Sequence, residues 1–259
     1  MKLHQTILAL ALAVTGCSEQ ADDTAPTTDP YAAAVASASR PAADRERDAA
    51  RKPAEVLRFS GIGPGDRVLE LFAGSGYYTE LLAHVVGAEG SVVAHLNTPI
   101  RRFAGEDFDV RHADNRLPNV EILMAENNEL DLQAESFDAV TLVLNYHDLY
   151  WVSDEYGWEK IDVEAFLAEI YEGLKPGGTF LVVDHAAEPG SPRETGGTLH
   201  RLAKAHVLAD LAAAGFELEG ESDVLQSTAD DYTKSVFDPE VRGKTDRYVL
   251  RFVKPAAGN

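Results

Sequence analysis

The sequence predicts an α/β fold in which a doubly wound, Rossmann-like sheet of seven strands carries helices on both faces. Three observations predict it. Short apolar runs alternate with stretches of helical period, the mark of repeated βαβ units. Two of those runs, Val140–Leu144 (VTLVL) and Phe180–Asp184 (FLVVD), are almost continuously apolar, as strands covered on both faces require. The stretch from Val68 to Leu82, VLELFAGSGYYTELL, reads as a strand, a glycine turn and a helix start. Ligands of open α/β sheets bind beyond the carboxyl ends of the strands, where that turn sits.

The elements follow in order. Pro41–Arg51 (PAADRERDAAR) is a charged helical segment with proline well placed at its start, and Ala54–Phe59 a second short helix. Strands are predicted at Arg67–Phe72, Ser91–His95, Val120–Met124, Phe137–Leu144, Thr179–Asp184, Phe216–Glu221 and Arg247–Val253. Helical patterns lie between them at Tyr77–Val86, weakly at Pro99–Phe103, at Val163–Leu174, and over Thr198–Ala214 up to Gly215. Ser222–Asp246 is long for a loop and is expected to act as a lid, with Asp230, Asp231, Arg242 and Lys244 on a solvated face. There is no internal repeat.

Ahead of this body stands an address. Lys2 and the apolar run Ile7–Val14 are followed by Thr15, Gly16 and Cys17, and the run is shorter than the roughly 20 apolar residues a spanning helix needs. Val14-Thr15-Gly16-Cys17 resembles the lipobox of bacterial lipoproteins. That resemblance implies a signal peptide over 1–16, a lipid on Cys17, and export to the periplasmic side of the envelope, with Ser18 directing it to the outer membrane. Residues 17–38, polar and then alanine-rich, are expected to be a flexible tether. The domain is expected over 39–259.

Composition narrows the partners. A net charge of −20 opposes nucleic-acid phosphates, so neither DNA nor RNA is expected as substrate. Cys17 is the single cysteine, so no intramolecular disulfide forms and the fold stands on its core.

The turn Ala73-Gly74-Ser75-Gly76 lets a ligand approach backbone directly. A dinucleotide fingerprint would place a third glycine where Thr79 stands. Glu70, inside the strand end, would repel a pyrophosphate but suits a cationic amino group. The pattern Glu70-x-Phe72-x-Gly74-x-Gly76 resembles motif I of class I S-adenosylmethionine-dependent methyltransferases. Two further stretches match in the same order: Glu126–Asp138 (ENNELDLQAESFD) resembles their acidic loop after strand three, and Leu174–Gly178 (LKPGG) their turn before strand five. The stretches DHAAEPGSPRETG, GTLHRL and VFDPEVRGKTDRYVLRF are similar to a branch of predicted bacterial methyltransferases. The resemblance covers roughly Ala54–Val253 and implies S-adenosylmethionine as cofactor. It implies that Glu70 holds the methionine amino group, that Phe72, Ala73, Gly74, Ser75, Gly76 and Tyr77 face the cofactor, and that Glu126 or Asn127 sits at the adenine. The family usually carries an acid at the end of strand two for the ribose hydroxyls; this chain has Asn97, a weaker partner.

Methyl transfer requires an aligned nucleophile, exclusion of water and often removal of a proton. Strand four ends in Asn145-Tyr-His-Asp-Leu-Tyr-Trp151. His147 is the candidate general base, since an unperturbed imidazole titrates near neutrality; Asp148 orients it and Asn145 points a carbonyl at cofactor or acceptor. Tyr146, Tyr150 and Trp151, with His185 and His200 from farther along, are expected to line a pocket for a small-molecule acceptor. No metal is expected: Asp148, Asp184, His185 and His200 show neither H-x-H nor H-E-x-x-H spacing. The expected function is methyl transfer to a small molecule. The alternatives on the same fold are an exported metabolite- or nucleoside-binding lipoprotein without catalysis, and a metal-dependent hydrolase. The sequence leaves the oligomeric state open.

Overall fold

A computed structural model describes residues 29–256. The signal segment and Cys17 lie outside the described residues. Folded structure begins earlier than expected. Helix α1 (Pro30–Ala36) is capped by Asp29, whose carboxylate accepts from the Tyr31 and Ala32 amides. Tyr31 donates to the Ile62 carbonyl at 2.9 Å, and Ala34 is buried against the body. The tether expected over 17–38 is therefore corrected at its end. Its alanines are strong helix formers, and Ala34 seats closely against the body.

Helices α2 (Ala42–Arg51) and α3 (Pro53–Ser60) meet at a left-handed Lys52. The sheet then alternates as predicted: β1 (Arg67–Leu71), α4 (Tyr77–Val86), β2 (Ser91–Leu96), α5 (Thr98–His112), β3 (Val120–Met124), β4 (Phe137–Val143), α6 (Val163–Gly173) and β5 (Leu174–His185). Helices α7 (Thr195–Leu199) and α8 (Lys204–Ala213) precede β6 (Glu217–Ser222) and β7 (Arg247–Val253). The strand order is β3-β2-β1-β4-β5-β7-β6, parallel through β5, with β7 antiparallel to both neighbours. Chain order reverses between β1 and β4, which makes their carboxyl ends the switch point. Two apolar cores, one on each face, bury the central strands; Val140 and Leu142 point into one, and Ala139, Leu181 and Val183 into the other.

Three boundaries differ from the sequence reading. α5 runs well past the weak Pro99–Phe103 pattern, bending at Gly105. β5 begins at Leu174, so the LKPGG stretch lies within its span, with Gly177 at φ 80°. The helix expected over Thr198–Ala214 is two helices. Between them Arg201 is drawn inward to Asp230 at 2.7 and 3.0 Å, and the Leu202 amide donates to the His185 carbonyl at 3.0 Å. That break places His200 over the end of β4 instead of on a helix.

Candidate active site

β1 delivers Glu70 to the switch point, where its side chain is 5% exposed. It accepts a hydrogen bond from the Thr79 hydroxyl, so the residue that stands in place of a third glycine fixes the carboxyl. Burial pushes the Glu70 carboxyl up to about 8, only partly offset by Thr79 and the charge of Arg111. Among the described residues this buried carboxyl has no direct cationic partner, so a cationic group would complement it. The turn that follows is strained. Phe72 holds φ at 52°, a left-handed backbone that an aromatic residue adopts at a cost of about 1–2 kcal/mol. Its ring stacks on Phe166 at 6.0 Å and tilts against Trp158 and His95. At the end of β4, Leu144 is left-handed too, at φ 63°. Each of the two strands that flank the switch point is thus followed directly by a left-handed non-glycine residue.

A cavity of about 950 Å³ opens there. Its lining includes Glu70, Phe72, Ala73, Gly74, Ser75 and Tyr77 from the turn and Asn145, His147, Asp148, Trp151, His185 and His200 from the ends of β4, β5 and α7. Gly74 is left-handed (φ 60°), and a Cβ there would meet no side chain, so the turn presents open backbone to the cavity. Val236, Phe237, Arg242 and Gly243 of the Ser222–Asp246 segment also line it, which brings that segment to the cavity wall.

The polar end of the cavity is built around Asp184, which is fully buried. Its carboxylate accepts from the His147 amide at 2.7 Å, pairs with His147 Nδ1 at 2.8 Å and accepts from the His185 amide at 2.8 Å. His147 Nε2 faces Asp148 Oδ1 at 3.3 Å, and Asn145 donates to the other Asp148 oxygen at 2.9 Å. Burial lowers the imidazole's proton affinity, but the two carboxylates outweigh it and hold His147 up to about 9. An imidazole that keeps its proton at neutral pH has no free lone pair, which argues against the sequence expectation of His147 as general base. His185 behaves oppositely: burial, and then the cation on His147, keep it well below the usual histidine range. Its Nδ1 pairs with Thr245 Oγ1 at 2.7 Å, leaving a neutral ring on the cavity wall.

Six sequence-predicted positions do not reach the cavity. Asn97 caps α5, accepting from the Ile100 amide at 2.8 Å, and donates to Asn127 at 3.0 Å; both side chains are consumed by that pair and buried. Glu126 is exposed and accepts from the Thr98 amide and hydroxyl. Gly76 lies under the Arg111 side chain, which stands 2.5 Å from where its Cβ would be. Tyr146 is core, and Tyr150 donates to Asp210 on α8 while Arg193 lies over its ring. A short helical turn at Tyr146–Tyr150 explains the last two: it directs His147, Asp148 and Trp151 to the cavity and the tyrosines away.

Two features went unread in the sequence. Arg111, on α5, donates to the Ser75 carbonyl, to Glu80 and, at 2.7 Å, to Asp44 of α2, while Arg116 grips Glu80 at 2.6 and 2.7 Å. This buried network clamps the turn from behind. On the cavity side, α2 supplies Arg51 and β7 supplies Arg247. Arg247 is 8% exposed, and among the described residues it donates only to the Ala50 carbonyl and leaves its Nε without a partner. Asp230, expected on a solvated face, is instead the buried partner of Arg201. No periodicity or spacing marks any of these, because each partner lies far away in sequence.

Fold, switch-point cavity and acidic strand end together define the Rossmann-like methyltransferase architecture. Residues 69–182 match a family described as a methyltransferase domain. The ubiquinone/menaquinone biosynthesis C-methyltransferase UbiE of Teredinibacter turnerae is 31% identical over 137 residues, 52% of this chain and 49% of that protein. The chain spans about half the length of the curated relatives it matches first. A SAM-dependent methyltransferase from Aquifex aeolicus superposes with a TM-score of 0.54 at 22% identity, over 77% of this chain and 88% of its own. The [4+2]-cyclase SpnF superposes with a TM-score of 0.57 at 19% identity, over 83% and 82%. Likeness at these identities establishes the fold; the chemistry rests on the site.

Proposed function

We propose that the protein binds S-adenosylmethionine and transfers its methyl group to a small-molecule acceptor. The observation that carries this reading is Glu70: a buried carboxyl, without a direct cationic partner, beside a glycine turn that offers open backbone to a large cavity. The methionine end of the cofactor is a zwitterion, and the cavity offers both complementary signs. Glu70 suits the ammonium, and Arg51 and Arg247 on the wall contributed by α2 and β7 suit the carboxylate. The ribose has no acid at the end of β2, where Leu96 and Asn97 are both buried.

When bound, the cofactor supplies an electrophilic methyl group on a sulfonium. Asn145, Asp148 and Trp151 then confine an acceptor at the ends of β4 and β5, and Phe237 closes over His200 with ring centroids 4.7 Å apart. Transfer forms the acceptor–carbon bond as the sulfur–carbon bond breaks, and the acceptor's proton leaves to solvent or to a wall base. Calorimetric titration of the full chain with S-adenosylmethionine and S-adenosylhomocysteine tests the binding half. Micromolar affinity, weakened about 100-fold in Glu70→Gln, is expected; no binding by the native chain refutes it.

We also propose that the chain is exported and held at the envelope through a lipid on Cys17, on the strength of the Val14–Cys17 pattern. Incorporation of labelled palmitate that disappears in Cys17→Ala is the expected result.

A further inference from the structure

The sequence spacing argues against a metal, but the fold assembles a set of ligands that spacing does not show. His147 Nε2 lies 3.3 Å from Asp148 Oδ1, and His200 Nδ1 lies 3.4 Å from the same oxygen. One ligand atom from each residue falls within 4.8 Å of the others. Both contacts are longer than the 2.8 Å bond that His147 makes to Asp184 through its other nitrogen. They are close to the edge of a tetrahedron around an ion with bonds of about 2.0–2.1 Å, which is roughly 3.3–3.4 Å.

The surroundings are those of a metal site as well. Asp184, fully buried and fixed by three hydrogen bonds, occupies Nδ1 of His147, so that an ion displacing the Nε2 proton meets Nε2 as the ligating nitrogen. Asn145 holds the second Asp148 oxygen at 2.9 Å, which leaves Oδ1 for an ion. Carboxylate and amide partners of this kind orient ligands in metalloproteins. Trp151 and Phe237 pack on His200 with ring centroids at 5.5 and 4.7 Å, giving the site an aromatic wall. All three ligands line the cavity, so the remaining coordination positions open into it.

We propose that His147, Asp148 and His200 bind a late first-row divalent metal ion, zinc foremost, with open positions facing the cavity. Two imidazoles and one carboxylate form a borderline donor set that suits zinc, cobalt, nickel or iron over magnesium or calcium, which seek oxygen. Three protein ligands with a free position are the arrangement of a catalytic rather than a structural ion. On the methyl-transfer reading, and resting on it for this clause alone, the ion would bind an acceptor through a hydroxyl or thiol and lower its pKa, doing the work expected of a general base.

The test uses the full chain stripped with a chelator. Titration with Co²⁺ is expected to produce a visible ligand-field spectrum saturating at one equivalent per chain, and Zn²⁺ to displace it. His200→Ala and Asp148→Asn are each expected to weaken zinc binding at least 100-fold, and Asp184→Asn by about 10–100-fold. His84→Ala, on α4 away from the cavity, is expected to leave it unchanged. His200 is half-buried at the end of α7, so its variant keeps the test alive should a substitution at Asp148 unfold the protein. Absence of a saturable site, or a site indifferent to both His200→Ala and Asp148→Asn, overturns the proposal. S-adenosylmethionine titrated in parallel separates the two claims: zinc binding without cofactor binding refutes the transferase reading alone, and the reverse refutes the metal alone.

Discussion

Asp184 and His147 stand 37 residues apart in the chain, yet their side chains meet at 2.8 Å with both groups buried. The parallel pairing of β4 with β5, in register at Val143 and Val183, brings the two strand ends side by side. Asp184 then serves as both hydrogen-bond acceptor and counter-charge for the polar end of the cavity. Removing one partner of a buried ion pair leaves the other uncompensated, at about 3–5 kcal/mol. Asp184→Ala is therefore expected to lower unfolding free energy by that amount in urea at pH 7, and Asp184→Asn by less, since its amide keeps an acceptor for the His147 amide. Loss below about 1 kcal/mol in both would show that the pair does not organise the site.

Glu70 predicts a pH signature. Its carboxyl sits at about 8 in the folded protein against an ordinary 4.5, so between those values the folded state holds a proton that the unfolded chain releases. Stability contributed by the neutral carboxyl is full below pH 4.5 and drains as pH rises through 8. Glu70→Gln mimics the neutral form. Its melting temperature should match the native protein at pH 4 and exceed it at pH 8.5. Equal melting at both values would mean that Glu70 is ionised in the fold. On the proposed binding of S-adenosylmethionine, affinity should move the other way, strengthening from pH 6 to pH 8.5 as the Glu70 carboxylate forms.

Phe72 sets packing against backbone strain. Glycine would relieve the left-handed φ, worth about 1–2 kcal/mol, but would remove a ring packed on Phe166 and Trp158, worth about 3–5 kcal/mol. Phe72→Gly is expected to destabilise by about 2–3 kcal/mol in denaturant unfolding. A stabilised variant would show that strain outweighs packing there.

The clamp behind the turn predicts coupling between Gly76 and Arg111. Gly76→Ala must fit a Cβ at φ 85° where Arg111 Cδ stands at 2.5 Å. It should destabilise the protein and weaken cofactor binding together. Arg111→Ala frees that space but leaves the Asp44 and Glu80 carboxylates short of a partner. Measured in a double-mutant cycle, the pair should be less damaging than the sum of the single changes; strict additivity would deny the contact.

Much of this was legible in the chain. Apolar runs of strand length marked the central strands, because burial on both sheet faces is written locally as composition, whereas the edge strand β6 (ELEGES) is largely exposed; only β5 extends well beyond its run, because its glycines hid its start. Glu70 and the glycine turn could be read because strand, turn and helix start are contiguous. α1 was missed because a short alanine segment carries helix propensity without an apolar signature. Tyr146 and Tyr150 were misplaced because a single turn of helix after β4 alternates directions in a way that residue type cannot reveal.

By itself, then, the sequence determined the sheet, its switch point and an acidic strand end beside a glycine turn, since each depends on residues a few positions apart. Only the tertiary structure decided which side chains face that site. It turned Asn97 and Asn127 upon each other, and it broke a helix at Arg201–Ala203 to bring His200 beside Asp148. It also turned Arg51 and Arg247, 196 positions apart, into one cavity wall. Such decisions are made by long-range packing and by pairing of buried charges, and these partners meet only after the chain has closed.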